Sequence, residues 1–326
     1  MMTKGLVIRN FGGPEELVWT ETPIDEPRSG EVKLAHRAIG MNMMEIGLRT
    51  GVYPGPPLPF IPGVEAASEI IAIGENVTDY EIGDRVGYAG PPVGSYCEER
   101  IYPSERLFPI PDDIDDDLAA ASMVKGITAR CLMQRTHPVQ KGTRVLIHAA
   151  AGATGLMCLQ LAKALGAEVF GTVSSSEKAE LIESFGCDHS ILYSETNFAD
   201  AVLEITDGIG VDVCYDSIGS STFSDSIRCT HYLGTVALFG VASRLPEPVP
   251  LMLQDLNTAQ KFVRPSIYAY TKARGDLLNI AEEMFNDLRV GNMKPHIHAK
   301  IPLQEAAAAH REVESRKTMG SLIFEV

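Results

Sequence analysis

Arg144-Val145-Leu146-Ile147-His148-Ala149-Ala150-Ala151-Gly152-Ala153-Thr154-Gly155-Leu156 is the stretch whose reading decides the fold of this 326-residue chain. Val145-Leu146-Ile147 is an unbroken aliphatic run, the composition of a parallel strand covered on both faces. It ends in small residues and two glycines, and a helix-length apolar segment runs on to Leu165. Strand, glycine turn and helix in that order form a seat for the pyrophosphate of a dinucleotide. Gly152 lets the backbone approach the phosphates, and Gly155 lets the helix pack on the strand. The helix N-terminus offers free N–H donors and a partial positive charge. Ala150 takes the first glycine position, so the run is A-x-G-x-x-G and draws its meaning from its surroundings.

Those surroundings repeat the unit. Outward from the turn, strand-like runs at Arg144–His148, Glu168–Val173, His189–Leu192, Val211–Tyr215 and Thr235–Phe239 alternate with helix-length segments. The segments are Gly155–Leu165, Ser176–Phe185, Asn197–Thr206 and Ser221–Cys229. Such alternation is the sequence form of an α/β, doubly wound parallel sheet, the Rossmann arrangement. The first third differs. Short apolar runs (Leu6–Ile8, Val32–Ala38, Ala66–Ile73, Arg85–Tyr88) separated by Gly, Pro, Asp and Asn predict a β-rich domain, with one helix near Met43–Leu48. Tyr53-Pro54-Gly55-Pro56-Pro57-Leu58-Pro59 is too stiff for helix or inner strand. The tail from about Gly275 predicts two helices, a connecting strand at His298–Ile301 and a closing strand at Leu322–Phe324.

Bulk properties set outer limits. A chain of this length exceeds what one core usually organises. Acidic residues outnumber basic ones by 43 to 28, and a net charge of -15 opposes a broad nucleic-acid surface. The six cysteines (97, 131, 158, 187, 214 and 229) include no C-x-x-C pair, which fits reduced thiols in a cytoplasmic protein. No apolar run is long enough for a membrane span, and the first residues carry no apolar signal core.

The end of the second strand speaks to the cofactor. NAD proteins place an Asp or Glu there to hold the ribose 2′-hydroxyl. Here the sequence is Val173-Ser174-Ser175-Ser176-Glu177-Lys178. Hydroxyls and a lysine suit the 2′-phosphate of NADPH. An ordinary helix cap at Ser175 or Ser176 with a solvated lysine can hold at the same time, and Glu177 turned inward would accept from a 2′-hydroxyl instead.

Several further segments carry a family resemblance: Gly12-Gly13-Pro14-Glu15, Ala38-Ile39-Gly40-Met41-Asn42, Arg49-Thr50-Gly51-Val52-Tyr53-Pro54 and Pro62-Gly63-Val64-Glu65-Ala66-Ala67. Gly83-Asp84-Arg85-Val86, Lys125-Gly126-Ile127-Thr128-Ala129, Tyr215-Asp216-Ser217-Ile218-Gly219 and His310–Ser315 with Arg316-Lys317-Thr318-Met319-Gly320 continue it. The chain resembles the zinc-free quinone oxidoreductases, of ζ-crystallin type, within the medium-chain dehydrogenase/reductases. The resemblance implies a GroES-like catalytic domain at 1–124, a Rossmann NADPH domain at 125–265 and a C-terminal return at 266–326 that completes the first. It implies a homodimer. It places Asn42 and Thr128 near the nicotinamide, and Ala153 and Thr154 on the pyrophosphate. Ser174, Lys178 and Tyr193 gather around the 2′-phosphate and adenine. Ser217, Phe239, Val241, Ala242, Val263, Arg264 and Pro265 line the cofactor, and Arg316 supplies a second cation. Zinc-using relatives have a Gly-His-Glu segment where this chain has Gly63-Val64-Glu65, and a cysteine cluster that it lacks. A catalytic zinc needs three protein ligands and an open position, so no metal is expected. Two departures stand out: Arg130-Cys131 where relatives often have aromatics, and Ala153-Thr154 where many have Gly-Val.

Other residues read more plainly. His148 reads as a buried, hydrogen-bonded histidine rather than a catalytic acid. His296 and His298 alternate onto one face, a surface pair short of a third ligand. Asp112–Asp117 reads as a solvated loop leading into a helix. Tyr53 with its prolines reads as the roof of an apolar pocket or as a packed loop. Reduction of a quinone needs a hydride and readily available protons, so orientation and exclusion of water suffice. The expectation is NADPH-dependent quinone reduction in an interdomain cleft shaped by Asn42, Tyr53 and Thr128, with no committed general acid. The alternatives are NADPH-dependent reduction of an enone or alkenal double bond, and a non-catalytic crystallin-like or RNA-binding role.

Overall fold

The computed structural model describes residues 1–243 and 259–326. In chain order it begins with β1 (Met2–Val7), β2 (Val18–Pro23), β3 (Glu31–Gly40), α1 (Met43–Arg49), β4 (Glu65–Ile73), β5 (Arg85–Ala89), β6 (Glu99–Pro103), β7 (Phe108–Pro109) and α2 (Asp116–Arg130). Then follow β8 (Arg144–Ile147), α3 (Ala153–Ala164), β9 (Glu168–Val173), α4 (Ser176–Ser184), β10 (His189–Leu192), α5 (Phe198–Ile205), β11 (Val211–Asp216), α6 (Phe223–Arg228) and β12 (Thr230–Leu238). The chain closes with β13 (Lys261–Val263), α7 (Ile267–Tyr270), α8 (Arg274–Val290), β14 (Ile297–Pro302), α9 (Ala306–Glu314) and β15 (Ser321–Glu325).

Contacts divide the chain into two units. Unit 1 is Met1–Lys125, Thr271–Asn286 and Pro295–Val326; unit 2 is Gly126–Tyr270 and Asp287–Lys294. The sequence reading gave everything after residue 265 to the catalytic domain, whereas Asp287–Lys294 here belongs with unit 2. The physical reason is side-chain anchorage. Asp287 is ion-paired to Arg130, and Gln160 hydrogen-bonds both the N–H and the carbonyl of Lys294.

Unit 1 is built on a sheet of order β14-β15-β3-β4-β5-β7, with β6 also paired to β3 and a separate β1–β2 hairpin. Strands β3 and β4 are antiparallel and largely buried. Their inward side chains Val32, Leu34, Ile39, Ala66 and Ile70 join Leu6, Ile8, Tyr88 and Phe324 in one core. The opening strand runs from Met2 rather than Leu6, because its partner Val18–Pro23 pairs along its full length.

Unit 2 holds a six-stranded sheet of order β10-β9-β8-β11-β12-β13, parallel throughout. All its strands therefore end on one edge. The order reverses between β8 and β11, where α/β sheets open a crevice for ligands. Leu146, Phe170, Ile191, Val202, Val211 and Cys214 form a core between the sheet and α5. Strand β12 begins at Thr230, not Thr235, and its pairing with β11 shifts register between Val211 and Val213. Leu233, at φ +66°, lies in that irregular stretch. All six cysteines are free and buried, and burial pushes the Cys158 thiol up to about 12, which makes it inert packing. Among the described residues, no helix is long and apolar enough to cross a membrane.

Candidate cofactor and substrate site

The expected site residues divide between the two units. In unit 2, β8 stops at Ile147 and the chain turns through Ala149, which has φ +51°. Gly152 is the N-cap of α3, and no side chain caps that end. The first N–H groups of α3, on Ala153 and Thr154, are thus left to whatever docks there. Gly155 is required by packing: a Cβ on it would lie 2.3 Å from the Ala149 carbonyl oxygen and 2.8 Å from Ala150 Cα. The same test at Gly152 finds only the Ala149 oxygen, at 3.2 Å. Helix α3 therefore meets β8 closely enough to aim its N-terminus across the strand end, a cradle that fits a pyrophosphate.

Most of the remaining unit 2 residues of the expected set follow the neighbouring strand ends along the same edge. Ser174 follows β9, and Tyr193 follows β10, its N–H donating to the Val173 carbonyl at 3.2 Å. Ser175 is the N-cap of α4 and accepts from the Lys178 N–H. The capping reading thus holds, and it carries Lys178 to the same strand end. Lys178 is half-buried, and desolvation lowers its ammonium below its ordinary value. Glu177 is fully exposed, and bonds from Ser175 and the backbone hold its carboxyl below the usual range. It does not turn inward.

Ser217 follows β11, with its hydroxyl 3.4 Å from the His148 carbonyl. Phe239, Val241 and Ala242 follow β12, and Arg264 and Pro265 follow Val263 at the end of β13. Asp216 shapes this part of the edge. It is fully buried and accepts the N–H groups of Ile218 and Gly219 at 2.8 and 2.9 Å, and hydroxyls from Thr222 and Ser226. Ser226 donates to Asp216, so its oxygen accepts from His148 Nε2 at 3.0 Å, and His148 Nδ1 accepts from Thr172 at 2.9 Å. Burial lowers the His148 pKa and keeps the ring neutral. His148 is a brace under the turn, as its sequence context suggested. Thr128 lies half-buried on α2. Arg130, a departure from relatives, is tied to the buried Asp287, and Cys131 is buried.

In unit 1, Asn42 is the N-cap of α1. Its N–H donates to Glu45 Oε2 at 2.8 Å, and its Nδ2 donates to Glu65 Oε1 at 2.8 Å and Glu45 Oε1 at 3.3 Å. Glu65 also accepts from the Lys125 ammonium and, at 2.7 Å, from the Val124 N–H. Glu45, Glu65 and Lys125 are all essentially inaccessible to water. Gly40 makes room for them, since a Cβ there would fall 2.3 Å from Glu65 Oε1. Burial foremost, with Glu65 adding, raises the Glu45 carboxyl to about 7. Sequence reading missed this cluster. The signal was present in charges set inside apolar runs, Val64-Glu65-Ala66 and Met123-Val124-Lys125, which a folded core tolerates only as pairs.

Tyr53 packs its ring against Gly47 of α1, where a Cβ would lie 1.9 Å from it, and joins the rim of the unit 1 core, while the prolines after it stay exposed. Arg316 is exposed, just past α9, at φ +60°. His298 bonds Glu312 at 3.0 Å. Among the described residues, no group of three or more His, Cys, Asp or Glu side chains is placed to hold a metal ion.

Residues 28–112 match the alcohol dehydrogenase GroES-like domain family, and residues 153–283 match the zinc-binding dehydrogenase family. A quinone oxidoreductase of Pseudomonas aeruginosa is 39% identical, with 99% of each chain covered. The chain belongs to the quinone oxidoreductases of the medium-chain dehydrogenase/reductase superfamily. Its fold is the GroES-like and Rossmann pair of that superfamily. A 2-haloacrylate reductase of a Burkholderia species is 40% identical, again with 99% of each chain covered. The Escherichia coli quinone oxidoreductase crystallised with NADPH superposes with a TM-score of 0.95 at 34% identity, covering 99% of this chain and all of that one. The protein is thus an oxidoreductase that uses a nicotinamide cofactor.

Proposed function

We propose that this protein is a zinc-independent quinone reductase that prefers NADPH. The observation that carries the cofactor choice is the end of β9. Three serines and the half-buried Lys178 stand there, and the nearby acid, Glu177, faces solvent. That environment favours a phosphate over a free hydroxyl. Gly152, Ala153, Thr154 and Gly155 take the pyrophosphate, and Ser174, Lys178 and Tyr193 take the adenosine end, with Arg316 as a second cation. Ser217, Phe239, Val241, Ala242, Val263, Arg264 and Pro265 line the cofactor. Asn42 and Thr128 orient the nicotinamide, and Tyr53 shapes the substrate side. When bound, the cofactor supplies a hydride; the chain's residues position it and keep water from it. The quinone assignment leans on the quinone oxidoreductase relatives, and the same resemblance supports a homodimer.

A second reading has its own support in the 2-haloacrylate reductase relative, whose name denotes an activated carbon–carbon double bond. Oxidation of NADPH and NADH, followed by absorbance against a panel of quinones and activated alkenes, decides between them. Turnover of quinones with NADPH favoured is the expected result. Turnover of alkenes alone moves the assignment to the second reading, and no turnover of either class defeats both.

A further inference from the structure

The charged cluster of unit 1 is larger than a fold needs. Two carboxylates, Glu45 and Glu65, stand with one ammonium, Lys125, out of water, and both accept from the carboxamide of half-buried Asn42. With both carboxyls ionised the group carries one uncompensated negative charge. Other polar groups near it do not cancel that charge. Tyr96 is neutral, its phenol held well above the usual range by burial and the two glutamates. His310, 3.3 Å from the Tyr96 hydroxyl, is held neutral near 3 by burial and by Arg49. Arg49 itself is spent on Glu314.

We propose that Glu45 is a positioning residue for Asn42, fixing the carboxamide when ionised and loosening it when protonated. The proposal rests on the reading that Asn42 meets the nicotinamide and substrate. Glu65 is held by three donors, Asn42, Val124 and Lys125, and is the fixed anchor. Glu45 meets the same carboxamide from the opposite carboxyl and also accepts the Asn42 N–H. When Glu45 takes up a proton, one of its oxygens ceases to accept. Asn42 then keeps Glu65 and loses one of its two bonds to the Glu45 carboxyl. One hydrogen bond of this kind contributes about 0.7–1.4 kcal/mol, equivalent to roughly a 3–10-fold effect on a step that depends on it. Because burial places the Glu45 ionisation at about 7, the change falls within the working range of pH.

The test is the pH dependence of kcat/KM for a quinone, with NADPH saturating, in the wild type and in Glu45→Gln. The expected wild-type profile rises roughly 3–10-fold through neutral pH to a plateau. Glu45→Gln should be flat near the acid level, with the KM for NADPH unchanged. A purely structural Glu45 would lower both limbs and leave the inflection in place, and that result overturns the proposal. Thermal melting supplies a second reading with a defined sign. A carboxyl whose pKa is raised by folding stabilises the native state below its unfolded value, and that contribution is lost as pH rises through the folded value. Glu45→Gln should therefore gain melting temperature over wild type between pH 5 and pH 8, and a constant difference counts against the proposal. Should the variant not fold, carboxyl NMR of the wild-type chain with labelled glutamate decides. A glutamate titrating near neutrality is expected, and none titrating there overturns the idea. Absence of turnover with every quinone and alkene removes the functional reading and this proposal with it, while the carboxyl titration would stand as a property of the fold.

Discussion

The carboxyl edge of the parallel sheet and the Glu45–Glu65–Lys125 cluster both manage charge, and they do it with different parts of the chain. At the sheet edge the work falls to backbone. Glycines remove side chains, a helix N-terminus is left uncapped, and a partly desolvated cation, Lys178, stands at the far strand end. Such a surface is built for a charge that arrives from outside. The cluster in unit 1 sets buried charged side chains against one another, two carboxyls to one ammonium. The difference is between a site left open and a site already filled, and substitutions should fail differently in the two.

The largest expected effect is at the filled site. Lys125→Met leaves two carboxyls buried without their cation, and removing one partner of a buried pair costs about 3–5 kcal/mol. Urea unfolding measures it. Adding Glu65→Gln should recover most of the loss, because a neutral pair needs no counter-ion. If Lys125→Met is as stable as wild type, the cluster is wetter than the structure shows and the contrast with the sheet edge collapses.

Next comes Gly155→Ala, at the open site. The added methyl meets the Ala149 oxygen and Ala150 Cα, both backbone and unable to swing aside. Overpacking of this kind costs about 1–3 kcal/mol. The helix must also withdraw from the strand end, so NADPH affinity, read by fluorescence titration, should fall by about tenfold or more.

The two regions also differ in how legible they were. The sheet edge could be read because its chemistry is periodic: strands near Arg144, Glu168, His189 and Val211 recur with glycine or serine at their ends, and parallel pairing brings those ends together. The helix boundaries moved by a residue or two where caps decided them, as at Asn197, while α4 begins at Ser176 as the sequence reads, behind its cap Ser175. The unit 1 cluster depends on contacts across long stretches of chain, Asn42 to Glu65 to Lys125, which no local period announces. Asn42 was noticed for its possible contact with a ligand, while its bonds to two buried carboxylates were not. Asp216 lies in the Tyr215–Gly219 motif, but its bonds to Ile218, Gly219, Thr222 and Ser226 appear only in the folded chain.

Lys178→Ala tests which ligand the open site awaits. Loss of one charge-assisted contact to a phosphate should raise the KM for NADPH by about tenfold, on the order of 1.4 kcal/mol. The KM for NADH should barely change, since no phosphate stands there to be missed. Equal effects on the two cofactors would mean that Lys178 only supports α4.

Gly152→Ala carries the smallest stability effect and makes the finest distinction. Gly152 has φ −76°, a conformation open to alanine, and its Cβ would meet only the Ala149 oxygen at 3.2 Å. The folded chain should accept it with a change within about 1 kcal/mol, since the loss of unfolded-state freedom favours alanine by a similar amount. Yet the methyl would stand where the backbone must come close to a pyrophosphate, so NADPH binding should weaken while the melting temperature stays near wild type. Gly155→Ala should lower both. A glycine kept for packing and a glycine kept for a ligand are thereby separated within four residues. If Gly152→Ala binds NADPH as well as wild type, the phosphates do not approach that residue, and the cradle has to be redrawn around the N–H groups of Ala153 and Thr154 alone.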